Sequence, residues 1–277
     1  MGAAQARKKA QPTLSDRYQT AACAVVQITS GQEAGTGFFV SPDGDVVTAA
    51  HVALDRTFSE PEPGKIQMDV DYKPGLQIHG ISGDVKPLTH LPKLSPADGL
   101  RARSDLAILK TGLPTPCFLK LGGHTAGVAI GQHLIAVGFP ESAADRALYE
   151  GIASARYKHL PLAMAIVNGK PIYPDYDVLR IQMPLTPGVS GGPVIADDGD
   201  IVGVMVENPT EWFDDLNKLI AYEQIRSDGC GAPQSDLSSM VAKLAWVVRD
   251  FVSSGAGLAV PTSYLDVEEQ KPAEMQR

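Results

Sequence analysis

The sequence predicts an all-β fold, an antiparallel barrel or sandwich, and three observations predict it. Short Val- and Ile-rich runs recur from Ala22 onward, each bounded by Gly, Pro or Asp turn signals. No alternation of helices with strands calls for a parallel sheet. The 277 residues include 27 glycines and 21 prolines, many in short turn-like clusters rather than scattered.

Taken in order, residues 1–17 open with Arg7, Lys8 and Lys9, but no apolar segment follows them. They are expected to form a flexible tail with no export signal, so a cytoplasmic location is expected, with export by another route left open. Ala22 to Ile28 is a Val-rich run too short for a helix. Phe38-Phe39-Val40, Ser41-Pro42-Asp43-Gly44 and Asp45-Val46-Val47 read as strand, turn and strand, because Pro presets φ and Gly accepts the closing conformation. Residues 56–103, rich in Pro, Gly and polar side chains, read as long loops around one or two weak strands. Further strands are expected at Leu106 to Lys110, His133 to Val137, Ile152 to Tyr157 and Val178 to Met183. Between them, Gly122-Gly123 is the best linker between two lobes. Pro193 to Ala196, Asp197-Asp198-Gly199-Asp200 and Ile201 to Val206 repeat the hairpin pattern. Residues 209–252 break it: Leu237, Met240, Val241, Leu244, Val247, Val248 and Phe251 recur at helical spacing after a cap at Ser235 or Asp236.

Composition narrows the function by exclusion. A formal charge of −8 argues against a nucleic-acid binder, and no apolar run reaches the roughly 18 residues of a membrane span. Cys23, Cys117 and Cys230 are odd in number and far apart, so they are expected to be reduced structural thiols, with neither a zinc site nor a disulfide framework. His79, His90, His124, His133 and His159 lack ligand spacing and read as surface or structural side chains. No metal and no cofactor is expected.

Three segments carry chemistry: Thr48-Ala49-Ala50-His51-Val52, Ser104-Asp105-Leu106-Ala107, and Pro187-Gly188-Val189-Ser190-Gly191-Gly192-Pro193. A serine hydroxyl is a poor nucleophile until a base removes its proton. Imidazole serves as that base when a buried carboxylate fixes its tautomer. Glycines around the serine let backbone amides approach a substrate oxygen, so the N–H groups of Gly188 and Ser190 are the oxyanion donors this pattern supplies.

With these motifs, the run Gly35-Thr36-Gly37-Phe38-Phe39-Val40 and the closing Gly257-Leu258-Ala259-Val260-Pro261, the chain resembles the chymotrypsin-fold (trypsin-like) serine proteases. Within them it is most similar to the HtrA/Deg-type bacterial branch. The resemblance implies two antiparallel six-stranded β-barrels with the site in the cleft between them. The lobes would cover residues 18–121, and 122–208 with 254–266, interrupted by a helical insertion at 209–253 and followed by a tail at 267–277. It makes His51 the general base, Asp105 its orienting partner and Ser190 the nucleophile, in the chain order of this family. No PDZ domain is expected after Ser263. Val189 stands where digestive relatives carry an aspartate, so activation through a newly cut amino terminus is not expected. The substrate pocket should be walled by Pro184, Leu185, Thr186, Pro187, Val206, Glu207 and Asn208. It has no carboxylate at its floor, so small or medium apolar residues are preferred over Lys or Arg. The insertion either covers the cleft or is a packed decoration. The implied function is serine endopeptidase acting on peptides or proteins, the oligomeric state being unreadable. The alternatives are a catalytically silent protease-fold binding protein and an esterase-like acyl hydrolase.

Overall fold

A computed structural model describes residues 12–62, 65–80, 84–121, 128–140, 145–161, 165–167, 170–172, 175–207 and 257–266. The expected linker at Gly122-Gly123, the helical insertion at 209–253 and the tail at 267–277 lie outside them. The first element is a helix, α1 (Leu14–Ala22), and not the tail expected through residue 17. Its start is a capping box: Asp16 N–H donates to Thr13 Oγ1 at 3.1 Å, and Thr13 N–H donates to the Asp16 carboxylate at 2.9 Å. Arg17, buried on this helix, pairs with Asp197 at 2.9 Å and so ties the amino-terminal helix to the carboxyl-terminal lobe.

The amino-terminal lobe is built on β1 (Val25–Ser30), β2 (Glu33–Phe39) and β3 (Asp45–Ala49), consecutive antiparallel neighbours. The predicted turn between β2 and β3 forms: Asp45 N–H donates to Ser41 Oγ at 3.0 Å, and Gly44 takes φ 91°. A β-carbon on Gly44 would lie 2.4 Å from the Leu113 carbonyl oxygen, so this glycine answers to both angle and space. After β3 comes one helical turn, α2 (Ala50–Ala53).

Residues 56–103 are more regular than the expected loops. They hold most of β4 (Leu54–Glu62), then β5 (Lys65–Tyr72), β6 (Gln77–His79), β7 (Val85–Pro87) and the helix α3 (Pro96–Arg103), followed by β8 (Leu106–Lys110). The β5 sequence alternates apolar and polar residues as a half-buried strand requires. The α3 start is a second capping box, from Ser95 and Asp98, with Pro96 in the first turn.

The strands of the carboxyl-terminal lobe are β9 (His133–Gly138), β10 (Ala147–Pro161), β11 (Ala165–Val167), β12 (Lys170–Ile172), β13 (Asp175–Gln182), β14 (Pro193–Ala196), β15 (Ile201–Glu207) and β16 (Gly257–Pro261). Six of them close a barrel in the order β10-β13-β16-β15-β14-β9. The fold is therefore mostly β, with one closed antiparallel barrel. The second expected barrel is a six-stranded sheet, β7-β6-β1-β2-β3-β8, whose end strands β7 and β8 are not paired with each other among the described residues. At three residues, all of them exposed, β7 is at the short end for a strand and offers little length for pairing with β8. The β4 and β5 strands form their own hairpin, as do β11 and β12.

The lobes share one apolar cluster in which Phe38, Val46 and Leu109 meet Val137, Ile195, Val204 and Val260. Phe38 is fully buried, and its truncation to Ala would cost about 3–5 kcal/mol. The fold also corrects the cysteine expectation. Cys23, at the end of α1, and Cys117 form a disulfide, with their Cα atoms 5.7 Å apart across 94 residues of chain. That separation lies within the bonding range, and only the fold produces it. Cys230 lies outside the described residues.

Candidate active site

Strand β3 ends at Ala49 and the chain turns at once into α2, which carries His51 at the edge of the sheet. Asp105 follows α3 at the entry to β8, the strand beside β3, so pairing of these two strands brings the residues together. Two hydrogen bonds join His51 to Asp105, and a third comes from the neighbouring Ala50. His51 Nδ1 lies 2.7 Å from Asp105 Oδ2, His51 N–H donates to Oδ1 at 3.0 Å, and Ala50 N–H donates to the Asp105 carbonyl at 2.8 Å. Asp105 takes φ 57°, the left-handed region that Asp and Asn enter more readily than bulkier residues.

A further contact comes from Arg56 on β4, whose Nη1 is 3.2 Å from Asp105 Oδ1. Burial pushes the Asp105 carboxyl up, but the neighbouring His51, the Arg56 guanidinium and the bonds from His51 outweigh it. The net effect holds the carboxyl below its ordinary value. Asp105 is thereby kept as a buried carboxylate aimed at one ring nitrogen of His51. If that nitrogen carries the proton, the other, Nε2, is left with its lone pair for a second partner. Sequence reasoning missed Arg56, because nothing in its neighbourhood on β4 marks it and its contact exists only once β4 folds back over Asp105.

Ser190 stands in the turn before β14. Its Oγ donates to the Val206 carbonyl at 3.4 Å, and its own carbonyl accepts from Thr36 N–H at 2.8 Å. The glycines around it serve close approach. A β-carbon on Gly191, which has φ 90°, would sit 1.9 Å from the Thr36 carbonyl oxygen and 2.3 Å from Thr48 Oγ1. Gly191 N–H donates across to the Met205 carbonyl on β15 at 2.6 Å, and Gly192 N–H donates within the turn to the Val189 carbonyl at 2.9 Å.

His51 and Ser190 line the same cleft of about 560 Å³, together with Leu185, Thr186, Pro187, Gly188 and Val189. Thr186 is held by Tyr149, hydroxyl to hydroxyl, at 2.6 Å. Two expected wall residues fall elsewhere. Pro184 is exposed and does not line the cleft, and Val206 is buried in the shared core while its neighbour Met205 faces the cleft instead. The reason is strand alternation: a shift of one residue on β15 exchanges the two faces. Glu207 ends β15, its side chain outside the described set, and Asn208 lies outside the described residues. The opposite wall, unforeseen, comes from the β1–β2 turn, the start of β2 and the residue after β5: Gln32, Glu33, Ala34 and Lys73, with Lys73 and Glu33 ion-paired.

Elsewhere, His133 is flanked by Asp197 at 2.7 Å and Glu150 at 2.6 Å, in keeping with a structural histidine. Among the described residues no group of three His, Cys, Asp or Glu side chains converges to hold a metal ion. No helix among them is long and apolar enough to cross a membrane.

Comparison with known proteins gives a consistent result. The profile of the family described as "Trypsin-like peptidase domain" matches residues 35–204. The chain is 26% identical over 173 residues to Serine protease HTRA1A of Danio rerio, covering 61% of this chain and 29% of that protein. It is 29% identical over 170 residues to a "Probable periplasmic serine endoprotease DegP-like" of Chlamydia pneumoniae, covering 61% of this chain and 28% of that protein. The chain thus spans less than a third of the length of these curated relatives. Among solved structures, an HtrA-type protease, AlgW with a tripeptide, superposes with a TM-score of 0.53 at 19% identity, over 93% of this chain and 63% of that one. At that identity the likeness speaks for the fold.

Proposed function

Since the chain belongs to the trypsin-like peptidase family, we propose that it is a serine endopeptidase whose catalytic group is His51, Asp105 and Ser190. The observation that carries the proposal is the two-point grip of Asp105 on His51, beside a cleft that Ser190 shares. In this reading His51 Nε2 takes the Ser190 hydroxyl proton as Oγ attacks the scissile carbonyl carbon. The carbonyl becomes an oxyanion, stabilised by the N–H groups of Gly188 and Ser190. The carbon–nitrogen bond then breaks, and the proton on His51 passes to the departing amine. Water, deprotonated by His51, hydrolyses the resulting ester and restores Ser190. Asp105 stays ionised throughout and stabilises the imidazolium.

Substrates are peptides or proteins. Leu185 and Met205 in the cleft support a preference for small or medium apolar residues before the scissile bond. The Cys23–Cys117 disulfide supports an oxidising compartment in place of the cytoplasm expected from the amino terminus.

A fluorophosphonate probe and a casein digest test this reading together. Labelling that Ser190→Ala abolishes, with casein cleavage, is the expected result. No labelling would mean a silent binding protein, and labelling with ester but no peptide hydrolysis would mean an acyl hydrolase.

A further inference from the structure

Thr36 is a threonine of β2 with no exposed surface, placed where the two lobes meet. All its polar groups are engaged, and two of the four bonds go to the serine turn. Its N–H donates to the Ser190 carbonyl and its hydroxyl to the Gly188 carbonyl, both at 2.8 Å. The hydroxyl oxygen also accepts from Phe139 N–H at 2.9 Å, at the end of β9. Its carbonyl accepts from Thr48 Oγ1 at 2.7 Å, on the strand that leads to His51.

Donor and acceptor counting fixes the direction of this chain. Phe139 N–H can only donate, so the Thr36 oxygen must accept there, and its single proton is left for Gly188. The two anchored carbonyls belong to the peptide units 188–189 and 190–191. The unit between them, 189–190, carries the Ser190 N–H, and the unit just before them carries the Gly188 N–H. Fixing the outer planes limits rotation of the inner one, because neighbouring peptides share only two soft dihedrals per residue. The molecule also leaves room for this residue. A β-carbon on Gly191 would collide with the Thr36 carbonyl, and one on Gly138 would lie 3.0 Å from its hydroxyl.

We propose that Thr36 is a positioning residue of the catalytic centre: a buried hydroxyl of the amino-terminal lobe that holds the oxyanion-binding turn of the other lobe in register with His51. This rests on the endopeptidase reading. Thr36 touches no reacting atom and acts through the peptide planes of residues 188–191. Its effect belongs to the transition state, where the oxyanion needs both N–H groups aimed at one point, rather than to substrate binding along the cleft.

The test uses the full chain and compares Thr36→Val, which keeps the shape and removes the hydroxyl, with Thr36→Ser, which keeps the hydroxyl. Thr36→Val should lower kcat by about ten- to a hundred-fold with KM changed less than about two-fold, less than deleting a donor outright. Its affinity for a peptidyl boronate, which mimics the tetrahedral intermediate, should fall in parallel. Thr36→Ser should recover most of both. Should Thr36→Val fail to fold, as loss of a thermal unfolding transition would reveal, Thr36→Cys carries the same measurement, the thiol being a weaker donor. A folded Thr36→Val with native kcat, a loss confined to KM, or a Thr36→Ser as impaired as Thr36→Val would overturn the role. A native protein that neither reacts with fluorophosphonate nor cleaves casein would overturn the endopeptidase reading itself, a different outcome from an active protein indifferent to Thr36.

Discussion

Breaking the Cys23–Cys117 bond, by reductant or by the double change Cys23→Ser and Cys117→Ser, should destabilise the protein heavily. The bond closes a loop of 94 residues, which contains β1 to β8 and so most of the amino-terminal lobe. In the chain-entropy treatment, a loop of that length removes about 4–5 kcal/mol of conformational freedom from the unfolded state at 25 °C. At roughly 2–4 °C per kcal/mol for a chain of this size, the midpoint of thermal unfolding should fall by about 10–20 °C. The clasp also has a local partner. Arg146, ahead of β10, donates through Nη1 to the Ala22 carbonyl beside Cys23, so α1 is held to both lobes at once. Scanning calorimetry with and without a phosphine reductant measures the shift, and peptide mapping under non-reducing conditions verifies the bond. Superimposable unfolding curves from a sample mapped as fully bonded would refute the loop-entropy argument. Free thiols at both positions in protein purified under oxidising conditions would refute the bond itself.

Arg56→Gln removes a cation that reaches His51 through one shared carboxylate, a path of roughly 8 Å, worth on the order of 0.5–2 kcal/mol at effective dielectric constants between about 80 and 20. Without that like charge the imidazolium forms more readily, so the acid limb of kcat/KM should move to higher pH by about 0.4–1.5 units. An unmoved limb in a pH–rate profile would show that solvent screens Arg56 from the site. Gly191→Ala places a methyl within 1.9 Å of the Thr36 carbonyl, at a φ that alanine avoids; expect destabilisation of more than about 3 kcal/mol in urea unfolding together with loss of fluorophosphonate labelling. Hydrogen bonding to Asp197, helped by Glu150 and opposed by partial burial, raises His133 above its ordinary value of 6.5. A raised folded value means the stabilisation is fully present below that ordinary value and fades as pH rises through the folded one. His133→Gln should therefore flatten the decline of urea midpoints on the alkaline side of pH 6.5, and an unchanged slope would contradict the assignment.

The parts of the molecule legible from sequence are those whose cause is local. Ser41-Pro42-Asp43-Gly44 and Asp197-Asp198-Gly199-Asp200 specify turns by their own chemistry, and both hairpins form where expected. The segments around His51, Asp105 and Ser190 are readable because the residue types and their chain order carry the pattern. The capping boxes of Thr13 with Asp16 and Ser95 with Asp98 were local signals too, yet polar surroundings masked them and two helices went unread. Other features depend on distant partners. Nothing near Cys23 announces Cys117, Arg56 meets Asp105 only after β4 folds back, and Thr36 matters through carbonyls more than 150 positions away. Met205 and Val206 show the finest limit, since adjacent apolar residues on one strand differ only in the phase of the pleat.

The backbone conformation of Asp105 bears on how such proteins diverge. At φ 57° the position tolerates Asn, which keeps the shape and the hydrogen-bonding reach but discards the charge. Alanine or a branched residue would add backbone strain to the loss of the carboxylate. Mutational scans at this site should therefore separate abundance from turnover, with Asn retaining the first and losing the second. A lineage that abandons catalysis while keeping its surface for binding would have its least disruptive exit through that single substitution.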